Sequence, residues 1–206
     1  MFLDFLFPRE CVSCHTVGSY LCPDCKKSLY AHPEICPFCH KVSKDFQVCF
    51  SCKAQQDALE GILIGFSYQD VMKKLILKVK FGHKKDVVPF LAGRLALLVQ
   101  TNEQLQGKKL SISFVPSHRR RKYLEKGYNQ SELLAKELAN QLGFPILALA
   151  KKQKYTVSQL KLRRAQRAKN LQSVFVPSHL EALSRDATVL FVDDVTTTGS
   201  TLLEIA

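Results

Sequence analysis

Eight cysteines and one acidic, hydroxyl-rich loop carry most of the chemistry available to this chain of 206 residues. The cysteines fall into four Cys-x-x-Cys pairs, Cys11/Cys14, Cys22/Cys25, Cys36/Cys39 and Cys49/Cys52, and none follows Cys52. Such a pair forms a tight knuckle that aims two thiolates at one ion. Tetrahedral Zn²⁺ needs two knuckles, so four pairs satisfy two structural ions. Redox thiols and disulfides are the competing readings. Four pairs in succession without a βαβ context disfavour a redox pair, and a reducing compartment disfavours disulfides. Sequential pairing gives two ribbons and crossed pairing gives a cross-brace. The short gap between Cys14 and Cys22 favours the sequential form. His15, His32 and His40 are spare ligands that four-cysteine sites do not need, and they read as surface residues. Few aliphatic residues accompany these cysteines, so apolar burial cannot fold the segment alone. Zinc supplies roughly 10–16 kcal/mol of apparent free energy in such modules.

The loop lies in Val189–Thr201, VLFVDDVTTTGST. An apolar strand ends in Asp193 and Asp194, and Gly199 leads into a helix. Backbone N–H groups at a helix start bind phosphate, and Thr196, Thr197, Thr198, Ser200 and Thr201 add hydroxyl donors. Carboxylates at the strand end suit ribose hydroxyls or a hydrated Mg²⁺. Neither the Walker pattern nor the GxGxxG fingerprint is present. The plainer alternative is an acidic strand end that merely caps the next helix. Two acids and TTTGST together favour the ligand.

Two basic clusters accompany the loop. Ser117, His118, Arg119, Arg120, Arg121 and Lys122 leave the strand Ser111–Val115. Arg163, Arg164 and Arg167 belong to the very basic stretch Lys151–Lys169. Either cluster could neutralise a pyrophosphate or follow a nucleic-acid backbone. Tyr123, Tyr128 and Tyr155 lie among the charges and could stack on bases. The alternative is a solvated basic face with the tyrosines packed inward.

These groups need elements to hold them. The composition shifts near residue 55, predicting a cysteine-rich domain over 1–55 and a second domain over 56–206, with Ala54–Glu60 as linker. Gly61–Tyr68 reads as a strand, Asp70–Lys80 and Val87 to about Leu105 as helices, and Ser111–Val115 as a strand. Ser131–Leu142 is a helix stopped by Gly143-Phe144-Pro145. Ile146–Leu149 and Thr188–Val192 are strands, and a helix opens at Gly199. Alternation at this spacing predicts an α/β fold with a mainly parallel sheet. A formal net charge of +12 favours polyanionic partners. The apolar Phe2–Phe7 patch is too short and lacks the basic flank of a signal peptide, and no later run is long enough to span a membrane. The expected location is therefore cytoplasmic.

The acidic loop resembles the phosphoribosyl-pyrophosphate signature of the type I phosphoribosyltransferases. That resemblance implies that Asp193 and Asp194 contact the ribose hydroxyls and that Thr196–Thr201 holds the 5-phosphate, with Mg²⁺ accompanying phosphoribosyl pyrophosphate. The whole chain resembles the ComF/ComFC family of competence-associated proteins. The matching pieces run in order: four Cys-x-x-Cys pairs, KVKFG (Lys78–Gly82), VPSHRRRKYLEKGYNQSELLA (Val115–Ala135), Thr156 with Gln159, Arg167 with Asn170, and the acidic loop. The resemblance implies a double zinc ribbon joined to a phosphoribosyltransferase-type parallel sheet. It implies a part in natural transformation, handling incoming single-stranded DNA in the cytoplasm or at the inner face of the membrane beside other uptake proteins. It places the first basic cluster at the pyrophosphate loop and the second at a flexible lid. Family members usually continue through more helix and a strand, so a C-terminally short domain is expected here. A catalytic phosphoribosyltransferase acting on an unidentified acceptor is the alternative.

Overall fold

The computed structural model describes residues 8–54, 58–82, 85–117, 128–153 and 174–206. Beyond the cysteine-rich segment, the elements are α-helices and short strands, with two helices preceding the first regular strand. Strand β1 (Leu110–Phe114) pairs in parallel with β4 (Thr188–Val192), with Ile112 opposite Leu190 and Phe114 opposite Val192. The opposite edge of β1 takes a single parallel bridge from Ile146, where Leu147 N–H donates to the Ile112 carbonyl at 2.8 Å. With neighbours on both sides, Ile112 is fully buried. A small antiparallel pair, β2 (Ala150–Lys152) with β3 (Phe175–Pro177), lies apart from this sheet.

Helices α3 (Asp70–Gly82), α4 (Val88–Thr101) and α5 (Gln130–Leu142) cover one sheet face. Val71, Met72, Leu75, Ile76 and Val79 recur at helical spacing and form a core with Leu91, Ala92, Leu134, Leu138, Ile112 and Val192. The opposite face holds a smaller cluster of Ile62, Val115 and Leu202, against which Phe191 packs. Alternation along β4 explains the division, because successive strand side chains point to opposite faces. Helix α6 (Ser200–Ile205) closes that second face through Leu202. No helix among the described residues is long and apolar enough to cross a membrane.

Four elements differ from the sequence reading. Gly61–Tyr68 is not a strand: only Gly61 makes a bridge, antiparallel to Gln47. A strand exists through its partner, and the cysteine-rich part engages this segment at separate points, not along a ladder: Ser67 N–H donates to the Tyr30 carbonyl at 2.9 Å near its end, and the other bonds cluster at its start. There Val48 N–H donates to the Glu60 carbonyl at 2.8 Å and Ile62 N–H to the Phe46 carbonyl at 3.2 Å. The approach is so close that a Cβ on Gly61 would lie 2.7 Å from the Phe46 carbonyl oxygen. The predicted helix to Leu105 stops at Thr101. Asn102 leaves the helical conformation and its side chain accepts from Gln104 N–H, starting a 3₁₀ turn over Glu103–Leu105. Ile146–Leu149 contributes one bridge, and the regular strand begins at Ala150. Strand β4 also departs in burial: read as a buried strand, it is largely half-exposed, because β1 is its sole strand partner among the described residues.

Candidate functional site

The cysteine-rich segment is one knuckle design used twice. Cys11 N–H donates to the Thr16 carbonyl and Cys36 N–H to the Lys41 carbonyl, and His15 and His40 return to Cys11 and Cys36. Both histidines adopt positive φ, 63° and 58°, which closes each turn. The bridges Glu10–Val17 and Ile35–Val42 flank the two turns. The second knuckle of each half opens a short helix. Cys22 caps α1 (Pro23–Lys27), its sulfur accepting from Cys25 N–H, and Cys49 precedes α2 (Phe50–Lys53).

Pairing is sequential. Cys11, Cys14, Cys22 and Cys25 form one cluster and Cys36, Cys39, Cys49 and Cys52 the other, with the sulfurs in each within 4.8 Å of one another. Cys14 Sγ lies 3.6 Å from Cys22 Sγ, and Cys39 Sγ 3.6 Å from Cys49 Sγ. Sulfurs bound tetrahedrally to zinc at about 2.3 Å sit about 3.8 Å apart. A disulfide would need about 2.05 Å. Four convergent sulfurs at these separations fit two structural zinc ions. Burial pushes the Cys11 thiol up, but amides of Cys14, Cys22 and Ser13 outweigh it and bring it down to about 6. Cys36 is likewise brought to about 6 against its burial, by the amides of Cys39, Cys49 and Phe38. Cys25, beside the Cys14 sulfur, and the desolvated Cys52 are each pushed up to about 12. Each cluster thus pairs a ready thiolate with a thiol that ionises only when a cation takes its proton's place. His15, His32 and His40 stand outside both clusters, as expected.

The acidic loop sits where two parallel strands end together. Val115 N–H donates to the Val192 carbonyl at 3.0 Å, so the chain after β1 and the chain after β4 leave the same edge of the sheet. Ligands of open α/β sheets bind beyond the carboxyl ends of their strands. Asp193 Oδ1 accepts from Ser131 Oγ at 2.8 Å and from Asp194 N–H at 2.9 Å. Thr198 Oγ1 and Ser200 Oγ share a hydrogen bond at 2.6 Å. Gly199 caps α6 at φ 68° and ψ −1°. Asp193, Asp194, Thr196, Ser200 and Thr201 are half-buried, and Thr197 is exposed.

Asp193, Asp194, Thr196, Thr197 and Gly199 line a cavity of about 480 Å³ whose remaining wall includes Ile62, Phe66 and Leu134. The second ribbon contributes His32, Ile35, Pro37 and His40 to the same cavity. The cysteine-rich part is therefore a wall of the candidate site. Sequence reasoning did not foresee that. Ser117 Oγ, at the root of the first basic cluster, is buried without a hydrogen-bond partner among the described residues. That leaves a polar atom suited to a ligand at this sheet edge.

His118, Arg119, Arg120, Arg121, Lys122 and Tyr123 lie outside the described residues, as do Tyr155, Arg163, Arg164, Arg167 and the Phe2–Phe7 patch. Tyr128 is described and packs inward, its hydroxyl donating to the Val79 carbonyl while burial raises its pKa. It is not a stacking platform for a base. Two residues that sequence reasoning missed stand beside the loop: Ser131, on Asp193, and Asn129, whose Nδ2 donates to the Val115 carbonyl at 2.9 Å. Both are buried polar side chains at the start of α5. The available signal was the polar run Tyr128–Ser131 between a basic segment and an amphipathic helix.

Comparison with known proteins agrees with this anatomy. The double zinc ribbon domain family matches residues 2–53 and the phosphoribosyl transferase domain family residues 129–206. Competence protein F of Haemophilus influenzae is 31% identical over 97% of this chain and 90% of its own length. The DNA utilization proteins YhgH of Escherichia coli K12 and Salmonella typhi are each 28% identical over 90% of this chain and 82% of theirs. No solved structure matches significantly. With two zinc-type cysteine clusters, a phosphoribosyltransferase domain and a relative of that identity aligned almost end to end, this chain belongs to the ComF/ComFC family of competence proteins.

Proposed function

We propose that this chain serves DNA uptake by handling incoming single-stranded DNA in the cytoplasm, at the inner face of the membrane beside other uptake proteins, and that its sheet domain binds phosphoribosyl pyrophosphate with Mg²⁺. One observation carries the pocket: two carboxylates and a hydroxyl-rich turn at the end of β4, at the sheet edge where β1 releases a basic segment. In this reading Asp193 and Asp194 face the sugar hydroxyls, and Thr196, Thr197, Thr198, Gly199, Ser200 and Thr201 surround the 5-phosphate. Ser117 and the cationic run His118–Lys122 face the pyrophosphate or a DNA backbone, joined by Arg163, Arg164 and Arg167. The relatives' names, a competence protein and DNA utilization proteins, support the DNA role. So does the net charge of +12. A catalytic phosphoribosyltransferase is the second reading, favoured by the complete carboxylate pair.

Asp194→Ala should weaken Mg²⁺-phosphoribosyl pyrophosphate binding about tenfold or more in calorimetry, the worth of a hydrogen bond to a charged group. Equal affinity would remove the pocket from the proposal. Single-stranded DNA binding should weaken steeply with salt, and replacing Arg119–Arg121 by alanine should shallow the slope by about two. A salt-independent association would count against a backbone-tracking surface. Turnover of phosphoribosyl pyrophosphate to pyrophosphate with a defined acceptor would favour the catalytic reading.

A further inference from the structure

Helix α5 begins with Asn129 as its N-cap, yet the Asn129 side chain makes no hydrogen bond to its own helix. Its Nδ2 reaches across to the Val115 carbonyl at 2.9 Å, and two residues on Ser131 Oγ donates to Asp193 Oδ1 at 2.8 Å. Val115 N–H in turn bonds the Val192 carbonyl at 3.0 Å, and Val192 adjoins Asp193. These contacts close a ring: Asp193, Ser131, Asn129, Val115, Val192. Asn129 and Ser131 are only 6% and 4% exposed, so water does not compete for the bonds.

Two segments leave this ring. The Asn129–Val115 bond holds the end of β1, and with it Pro116 and Ser117, against the start of α5. The chain Asp194–Gly199 departs at Asp193. The start of α5 thereby fixes the end of β1 and the root of the acidic loop in one frame, and its positive end also suits the Asp193 carboxylate. A helix cap normally satisfies its own first amides. Here the polar residues of the cap are turned outward onto two strand ends, and the Asn side chain does not cap at all.

We propose that Ser131 and Asn129 are positioning residues that act through Asp193 and Val115 to hold the acidic loop against the end of β1, where Ser117 Oγ lies buried, for the ligand of that pocket. The proposal rests on the pocket reading above. Asp193 is engaged by protein donors on Oδ1, which fixes its orientation. Fixing a carboxylate before the ligand arrives spares the ordering cost at binding.

The test uses the zinc-loaded full chain and Mg²⁺-phosphoribosyl pyrophosphate as probe. Ser131→Ala should weaken binding about tenfold while leaving zinc content at the wild-type value. In an Asp193→Ala background the same change should have no further effect, since residues acting as one unit are not additive. Additive losses, or equal affinity of Ser131→Ala and wild type, would overturn the positioning role. If Ser131→Ala melts far below wild type, Ser131→Cys, isosteric but a weak donor, replaces it in the cycle. Amide exchange distinguishes this claim from the pocket reading, because Asp194 N–H bonds Asp193 Oδ1 without any ligand. Should wild type bind no phosphoribosyl pyrophosphate, the pocket reading fails. Faster Asp194 exchange in Ser131→Ala then sustains the frame, and unchanged exchange overturns it as well.

Discussion

Replacing one ligand in either cysteine cluster, Cys11→Ser or Cys36→Ser, should reduce bound zinc from two equivalents per chain to one and unfold that half of the module. Elemental analysis gives the first number and thermal melting the second. The magnitude follows from what else could hold the segment. Cys11 and Cys36 are themselves among its most buried residues, joined by Val12, Phe46 and Val48. A handful of buried side chains at about 1.5–3 kcal/mol each cannot offset ordering costs of 1–2 kcal/mol per backbone residue. The roughly 10–16 kcal/mol of apparent zinc-binding free energy in such modules already includes that ordering, so the metal makes up the difference. The two losses should differ in reach. The first half packs Val12, Tyr20, Leu21 and Leu29 on the α3–α4 core. The second half pairs with residues 60–62 and lines the cavity beside Asp193. Metal affinity should also fall with acidity. Cys25 and Cys52 hold protons near neutrality, being pushed up to about 12, and must release them on binding. Each proton released weakens binding about tenfold per pH unit lowered. Apo protein titrated with zinc at pH 8 and pH 6 should therefore bind more weakly at pH 6 by at least about a hundredfold per cluster. A pH-independent affinity would show that neither thiol is protonated before metal arrives.

The metal clusters were legible in the sequence because ligand spacing is local: two residues between cysteines dictate a knuckle, whatever surrounds it. Only the pairing needed three dimensions, and the structure supplies the sequential form. Strand β4 was legible for a similar reason, since TVLFV between polar neighbours has few other uses. Gly61–Tyr68 has the same apolar composition but no regular strand, because pairing is decided by a neighbour that composition does not name. Asn129 and Ser131 escaped notice for the opposite reason. Small polar residues before a helix read as ordinary caps, and nothing local says that their side chains bond Val115 and Asp193, far away in sequence. The wall that the second ribbon lends to the cavity was invisible too, because it arises from docking across Gln47 and Gly61.

Gly199→Val should cost the zinc-loaded protein about 1–3 kcal/mol and reduce sugar-phosphate binding about a hundredfold. Gly199 sits at φ 68°, where a β-branched residue is a genuine outlier. Space adds less than strain: a Cβ would approach Ile62 Cδ1 at 3.2 Å, and that atom ends a flexible side chain able to shift. The backbone would therefore rotate rather than Ile62 block it. Rotation turns the N–H groups that follow Gly199 away from a bound phosphate. Losing two charge-assisted hydrogen bonds at roughly 1.5–3 kcal/mol each gives the hundredfold figure at its lower end. Gly199→Asn separates the two effects, because Asn tolerates the left-handed conformation. It should melt close to wild type, above Gly199→Ala, with Gly199→Val lowest. If binding follows that same order, the loop's backbone conformation governs the phosphate site. If Asn melts normally but loses binding as completely as Val, its side chain occupies the ligand's place and the phosphate must lie against Gly199 itself. Equal melting of all four proteins would mean that the turn relaxes freely, and a preformed anion site at the end of β4 could not stand.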